Sequence, residues 1–314
     1  MTARSLVDRL GTLIGLILVA IVFGSLVGSQ FFAPGNIELM ARQAAIVCMA
    51  ALGMTVVIAT GGIDLSVGSI IALATVVIAL LLRAEYPPVL AAAGGVAAAA
   101  VCGLVNGIVI TQLRVVPFIV TLGTMLIVRG AAKGLAEERR IEAPVTWLND
   151  LLRTQSRFLL PGGIWAVIVL ALAVAFVLRY TRLGRHVFAI GSNERMARLC
   201  GVAIARTKIV VYTLSAALAG MAGLLQFSKL SVGDPTVAIG LELDVIAAVI
   251  IGGGSLTGGR GTVLGTIIGA AIMTIIQIGC SQKGLPNWVQ QIVTGGIIVV
   301  AVALDRVRTS RTAS

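Results

Sequence analysis

The chain has 314 residues, 58% of them hydrophobic and only 12% charged, with a net charge of +11 and a mean hydropathy of +1.04. Soluble domains average about 25% charged residues, so the composition excludes a sizeable soluble domain and indicates a polytopic membrane protein; its 37 glycines suit close helix–helix contact in lipid. The positive charge lies mainly between apolar spans, where it reports topology rather than a nucleic-acid partner.

A transmembrane helix needs about 20 consecutive apolar residues. That measure predicts ten spans, at 11–32, 40–60, 65–83, 88–111, 116–134, 162–180, 208–228, 239–254, 262–280 and 287–304, and hence an all-α integral membrane protein. The apolar run from 10 to 32 is long enough to span and no clear A-x-A cleavage site follows it, so it reads as a first helix rather than a signal peptide. The second, fifth and eighth spans carry Arg42 and Gln43, Arg129 and Lys133, and Glu242 and Asp244. Each group falls near a span end, where long side chains reach the interface.

Orientation follows from Lys/Arg bias. The 179–208 connection holds Arg179, Arg182, Arg185, Arg195, Arg198, Arg206 and Lys208 against Glu194, and is expected to be cytoplasmic. Arg4 and Arg9 at one terminus and Arg306, Arg308 and Arg311 at the other agree, so both termini are expected inside, as an even number of spans requires. The 135–161 connection then falls outside although it carries Arg139, Arg140, Arg153 and Arg157; Glu137, Glu138, Glu142 and Asp150 offset them, and Pro144 and Trp147 suit a structured interfacial loop.

Two glycine stretches interrupt the apolar runs. Residues 61–68 read Gly61-Gly62-Ile63-Asp64-Leu65-Ser66-Val67-Gly68, and 252–259 read Gly252-Gly253-Gly254-Ser255-Leu256-Thr257-Gly258-Gly259. The shared pattern, G-G-x-[D/S]-L-[S/T]-x-G, suggests a duplicated unit with repeat halves at roughly 40–135 and 208–304. On a ten-span count both junctions lie on one side, which implies parallel repeats; inverted repeats would need one span fewer or more between them. A broken helix exposes backbone groups that lipid cannot satisfy, so such breaks line cavities or pack inside protein, and transporters place them at substrate sites and gates. Gly61, Gly62, Asp64, Ser66, Gly253, Ser255 and Thr257 are therefore candidates for a translocation path or gate. The competing role for Asp64 or Ser66 is to cap the helix starting near Val67. The second stretch lacks the lysine and the following hydroxyl of a phosphate-binding loop, which argues against nucleotide binding by this chain.

The remaining polar residues support no catalytic or metal centre. Cys48, Cys102, Cys200 and Cys280 form no C-x-x-C pair and read as packing residues. His186 is the single histidine, set in a basic loop. Asn106, Gln226 and Gln277 suit interhelical hydrogen bonds. Glu242 and Asp244, two apart, point to different faces of a helix and do not make a carboxylate pair.

The basic connection has its own pattern. Ser192 or Asn193 can cap a short helix over 194–199 that Gly201 terminates. Met196, Leu199 and Cys200 fall on one apolar stripe, with Arg195 and Arg198 elsewhere. Such a helix either docks in a groove on a soluble partner or lies against the bilayer.

Three blocks, at 57–69, 184–202 and 241–269, together resemble the membrane-spanning permease subunits of bacterial ABC sugar importers of the ribose type. Arg195-Met196 is a departure, since members often have small residues there. The resemblance spans nearly the whole chain and implies a type II importer-like permease in the bacterial inner membrane, without cofactor or metal, and not itself an enzyme. It implies a second permease copy, identical or paralogous, an ABC ATPase subunit below and a periplasmic sugar-binding protein that meets external loops at 135–161 and about 229–238. Within the cytoplasmic coupling loop, 181–207, it implies that Ser192, Asn193, Glu194, Arg198, Leu199 and Gly201 contact the ATPase. The alternative class is an ion-coupled secondary transporter, for which Asp64 would be the main intramembrane carboxylate.

Overall fold

Prolines and glycines punctuate the apolar runs, and several helices of the computed structural model begin or end at them. The structure describes residues 3–153 and 160–313, with side chains from 11 to 153 and from 160 to 303. Arg157 falls outside the described residues, as do the side chains of Arg4, Arg9, Arg306, Arg308 and Arg311. The chain order is α1 (Ala3–Val27), α2 (Pro34–Ala59), α3 (Val67–Arg83), α4 (Pro88–Gln112), α5 (Pro117–Leu135), β1 (Ile141–Glu142), α6 (Gly162–Tyr180), α7 (Arg182–Ser192), α8 (Glu194–Leu199), α9 (Ile204–Leu230), β2 (Val232–Gly233), α10 (Leu241–Ile251), α11 (Val263–Gln282) and α12 (Asn287–Ala313). Pro34, Pro88 and Pro117 open α2, α4 and α5, at the position where a missing N–H costs nothing.

Every predicted span contains a helix. Among the described residues, α2, α4, α5, α6, α9 and α11 are each long and apolar enough to cross a membrane, and α3 and the apolar parts of α1 and α12 are shorter. The helix α2 is the hub: residues 45–59 are all buried, and α9, α10, α11 and α6 pack around it. The most extensive pairing joins α4 to α9. There Gly103 and Gly107 meet the backbone of Tyr212 and Ile209, while Gly220 meets Val96 and Ala99. Small residues let the two helices approach closely, and in lipid that close packing replaces a hydrophobic driving force. The exterior is apolar, with Leu126 and Ile127 on α5, Val169 and Leu172 on α6, and Ile292 and Val299 on α12 exposed.

The eighth span departs from expectation. The helix α10 has 11 residues, which at 1.5 Å per residue reach about 16 Å, half of a bilayer core of about 30 Å. The chain that leads into α10 is non-helical. It leaves α9 at Ser231, which has φ +60°, and Gly233 packs on Thr75, Val76 and Ala79 of α3. The Asp234 amide donates to Thr75 Oγ1 at 3.2 Å. The chain then descends until the Ala238 carbonyl and the Glu242 carboxylate pack against Gly68, near the start of α3. Arg129 of α5 holds this descent by donating to the carbonyls of Pro235 (2.9 Å) and Val237 (2.7 Å). Gly233, Asp234 and Pro235 are buried while Lys229, Leu230 and Thr236 are exposed, so the 229–238 stretch is partly packed against α3.

At the same end, the described part of the 135–161 connection up to residue 153 is folded. β1 pairs antiparallel with β2, Ile141 opposite Gly233, and Arg140 Nε donates to Asp234 Oδ2 at 2.9 Å. A 3-10 turn at Trp147–Asp150 starts with a capping box built by Thr146 and Asn149. Leu148 is buried beneath it, and the Leu152 amide donates to Ser228 Oγ of α9 at 3.1 Å.

Candidate functional site

The first break follows α2. After Thr60 the chain turns at Gly61, with φ +79°, and reaches α3 through Asp64 and Ser66. Asp64 is fully buried; its Oδ1 accepts from the Ser66 amide (2.9 Å) and the Ser66 hydroxyl (2.5 Å). Ser66 Oγ accepts from Asn106 Nδ2 of α4 at 3.1 Å, and Asn106 Oδ1 accepts from Thr124 Oγ1 of α5 at 2.6 Å. Thr121 Oγ1 closes the ring of contacts on the Ile63 carbonyl at 3.1 Å. A buried polar chain thus links the break to α4 and α5. Asp64 makes the turn that leads into α3, while the Ser66 side chain caps no amide of that helix. Asp64 Oδ2 and the Tyr212 hydroxyl are buried without a hydrogen-bond partner among the described residues, and Gly62 lies against that hydroxyl.

The second break follows α10. The Gly253 and Gly254 amides return to the Ile250 (2.9 Å) and Val249 (2.8 Å) carbonyls, which ends the helix. Gly253 has φ +90° and open space where a Cβ would stand. Ser255 is buried, 3.0 Å from Thr257 Oγ1. Thr262 then caps α11 by accepting from the Gly265 amide at 3.1 Å. A side-chain hydrogen bond links α10 to α11: Gln277 Nε2 donates to Asp244 Oδ2 at 2.5 Å.

The two breaks lie at the same end of the bundle and touch. The Gly259 amide donates to the Ala59 carbonyl, the last residue of α2, at 3.0 Å. A Cβ on Gly258 would stand 2.9 Å from the Gly61 amide nitrogen. Of the predicted path residues, the structure therefore brings Gly61 and Thr257 together, whose carbonyl lies 3.6 Å from where a Gly61 Cβ would stand. Asp64 and Ser66 turn away into the α4–α5 side.

The basic connection folds into two helices. Sequence reading anticipates α8 and its ends: Asn193, not Ser192, is the cap, accepting from the Met196 amide at 3.0 Å, and Gly201, with φ +81°, terminates the helix. It misses α7, whose signal is Val187 and Ile190 buried on one side with Arg182 and Arg185 exposed on the other. Ser192 is the last residue of α7. Ala197 is the residue of α8 that packs inward, with Ile190 and Ile204. Met196 is 56% exposed and Leu199 81% exposed, so the apolar stripe faces away from the protein. Glu194 fixes α8 in place, accepting from Arg198 (3.2 Å) and from Lys208 of α9 (2.7 Å). Beside it an open groove of about 690 Å³ runs between α8, the start of α9 and the α4–α5 turn, with Arg114, Arg198, Arg206 and Lys208 on its walls. Tyr212, Thr124 and Gly191 also belong to this constellation, and nothing in their local sequence marks them.

A helical bundle with apolar walls, two interrupted helices and a basic helix pair against the interruptions is the architecture of a multi-pass membrane protein, and comparison with known proteins assigns it to transport permeases. The family model described as branched-chain amino acid transport system / permease component matches residues 36–302. The chain belongs to this permease family. It is 38% identical over 293 residues to the ribose import permease protein of Escherichia coli (strain K12), covering 92% of this chain and 91% of that protein. It is 37% identical to the L-arabinose ABC transporter permease protein of Azospirillum brasilense, covering 96% and 89%, and 34% identical to the fructose import permease protein of Rhizobium meliloti, covering 94% and 84%. No solved structure matches the chain.

Proposed function

We propose that this chain is the membrane-spanning subunit of an ATP-driven ABC importer that carries a monosaccharide, probed and delivered by a soluble binding protein and energised by a separate ATPase. The family description names amino-acid transport, whereas relatives at 34–38% identity over nearly the full chain carry names of ribose, arabinose and fructose import; the latter favour a sugar. The observation that carries the mechanism is α8, pinned by Glu194 to Lys208 with Met196 and Leu199 facing outward, beside the helix that touches both breaks. On this reading α8 docks in the ATPase, with Asn193, Glu194, Arg198 and Leu199 at the contact, Ser192 above it and Gly201 ending it. The end bearing α7 and α8 is cytoplasmic, as are both termini, and the end bearing the β1–β2 pair meets the binding protein in the periplasm. Two permease copies, identical or paralogous, enclose the path, and the repeat halves at roughly 40–135 and 208–304 each supply one break.

Gly61, Gly62, Asp64, Ser66, Gly253, Ser255 and Thr257 act first as the hinge and gate of that path. Asp64 is fully buried and engaged by Ser66, so in this conformation it holds the backbone and does not meet a sugar. Alternating access then needs only that the ATPase hold α8 differently with and without ATP. An ion-coupled mechanism is not favoured, since the named relatives are import permeases of the ABC type. The test is ATP hydrolysis by the assembled importer in nanodiscs. Binding protein loaded with a pentose or hexose is expected to stimulate hydrolysis; stimulation by a branched-chain amino acid and by no sugar would overturn the substrate class.

A further inference from the structure

We infer that α7 and both glycine breaks form one rigid transmission element, joined through Gly61, Gly191 and Gly258, so that displacement of the coupling helices moves the two breaks together. The inference rests on the reading that α8 docks on an ATPase. It begins from three backbones, drawn from distant parts of the chain, that meet without side chains between them. Gly191 lies in the last turn of α7, and a Cβ there would overlap the Ala59 carbonyl and the Gly259 amide. A Cβ on Gly258 would stand 2.7 Å from the Gly191 carbonyl oxygen, 2.8 Å from the Gly191 Cα and 2.9 Å from the Gly61 amide nitrogen. One on Gly259 would stand 2.7 Å from Ser192 Oγ and 3.2 Å from the Ser192 Cα. The Gly258 site thus touches α7 and the first break at once.

Hydrogen bonding closes the same junction. The last carbonyls of a helix need partners from outside it, and the Ala59 carbonyl of α2 finds one in the Gly259 amide of the second break. Close-packed interiors have low compressibility and transmit displacement, and backbone contacts lack the rotamer freedom with which side chains absorb it. From the junction the first break leads through Asp64, Ser66, Asn106 and Thr124 into α4 and α5, and the second leads into α10 and α11. A space of about 300 Å³ borders the junction between Phe188 of α7, Gly252, Gly253, Arg260 and Leu264, which leaves the element room to tilt. Gly191 is accordingly a positioning residue, whose task is to leave nothing between the coupling helix and the gates.

The test uses the complete importer, with ATPase and binding protein, in nanodiscs and proteoliposomes. Gly191→Ala places a methyl wedge in the junction. The ATPase is expected to co-purify as with the unaltered chain, while uptake and stimulation by ligand-loaded binding protein fall by roughly tenfold or more, the scale of an overpacked contact. Uptake unchanged in Gly191→Ala overturns the inference. Because a wedge also risks assembly, a second variant carries the test independently: Ser192→Cys with Gly259→Cys, in a Cys200→Ser background, closed by a mild oxidant. Parts that move as one body keep working when joined, so the oxidised double variant is expected to show the same uptake as that variant reduced. Uptake that stops on oxidation and returns on reduction would mean that the contact must open, and would overturn the inference. Failure of the unaltered chain to bind any ATPase would instead overturn the proposed function, a separate readout.

Discussion

Lys208 Nζ, near the start of α9, donates to Glu194 Oε2 at 2.7 Å, while Arg198 donates to the other oxygen of the same carboxylate at 3.2 Å. One side chain therefore orients α8 against the bundle. Glu194 is about two-fifths exposed, so the pair is worth about 0.5–1 kcal/mol, enough to orient a six-residue helix and too little to decide folding. Glu194→Gln is expected to insert normally and to retain about two- to fivefold less ATPase on co-purification. Glu194→Arg, which sets three cations together, is expected to detach the ATPase. Co-purification unchanged by Glu194→Arg would remove α8 from the contact.

Leu199→Asp separates docking from folding. Leu199 touches little of its own chain, being 81% exposed, and substitutions at such positions change stability by about 0.5 kcal/mol or less. The purified variant is expected to melt with the unaltered chain yet lose the ATPase, measured by thermal scanning beside pull-down.

Asp64→Ala removes the acceptor for the Ser66 amide and hydroxyl inside a buried chain that runs on to Asn106 and Thr124. Each donor left unsatisfied costs about 1–3 kcal/mol. Uptake normalised to inserted protein is expected to fall in Asp64→Ala and to be largely retained in Asp64→Asn, which keeps an acceptor oxygen. Uptake and insertion falling in parallel would reduce Asp64 to a helix cap alone.

The membrane class, the spans and the limits of α8 were legible because each rests on local signals: apolar length for the spans, Asn193 and Gly201 around the six residues of α8. The half-length of α10 was not, because the apolar run continues through 239–254 while the hydrogen bonds that replace the missing helix come from Arg129 and Thr75, far away in sequence. The helix α7 was masked by its arginines, although Val187 and Ile190 carry a helical spacing. The glycine patterns at 61–68 and 252–259 marked where the helices break, but nothing in them disclosed that Gly258 rests on Gly61 and Gly191. That meeting is a property of packing among three segments, and an isolated sequence window carries no trace of it.

The opposite end of the bundle has an acid-sensitive clasp. Burial alone pushes the Asp234 carboxyl up, but hydrogen bonds from Thr236 and the Arg140 guanidinium together outweigh it and hold the group below its ordinary value of 3.8. A carboxyl depressed on folding contributes stability that is fully present above the unfolded value, about pH 4, and is lost as pH falls through the folded one. Hydrogen exchange at 141–142 and 232–236 is therefore expected to be flat from pH 7 to about pH 4, once corrected for intrinsic rates, and to rise below it. In Asp234→Asn that protection is expected to be reduced at neutral pH and to lose its acid step.

Uptake of labelled pentose and hexose into proteoliposomes holding this chain and its ATPase, with binding protein outside, decides whether transport is driven by ATP. Uptake is expected to require ATP inside and binding protein outside, to survive an uncoupler and to disappear in Leu199→Asp. Uptake that proceeds without the ATPase and collapses with the uncoupler would contradict ATP-driven import.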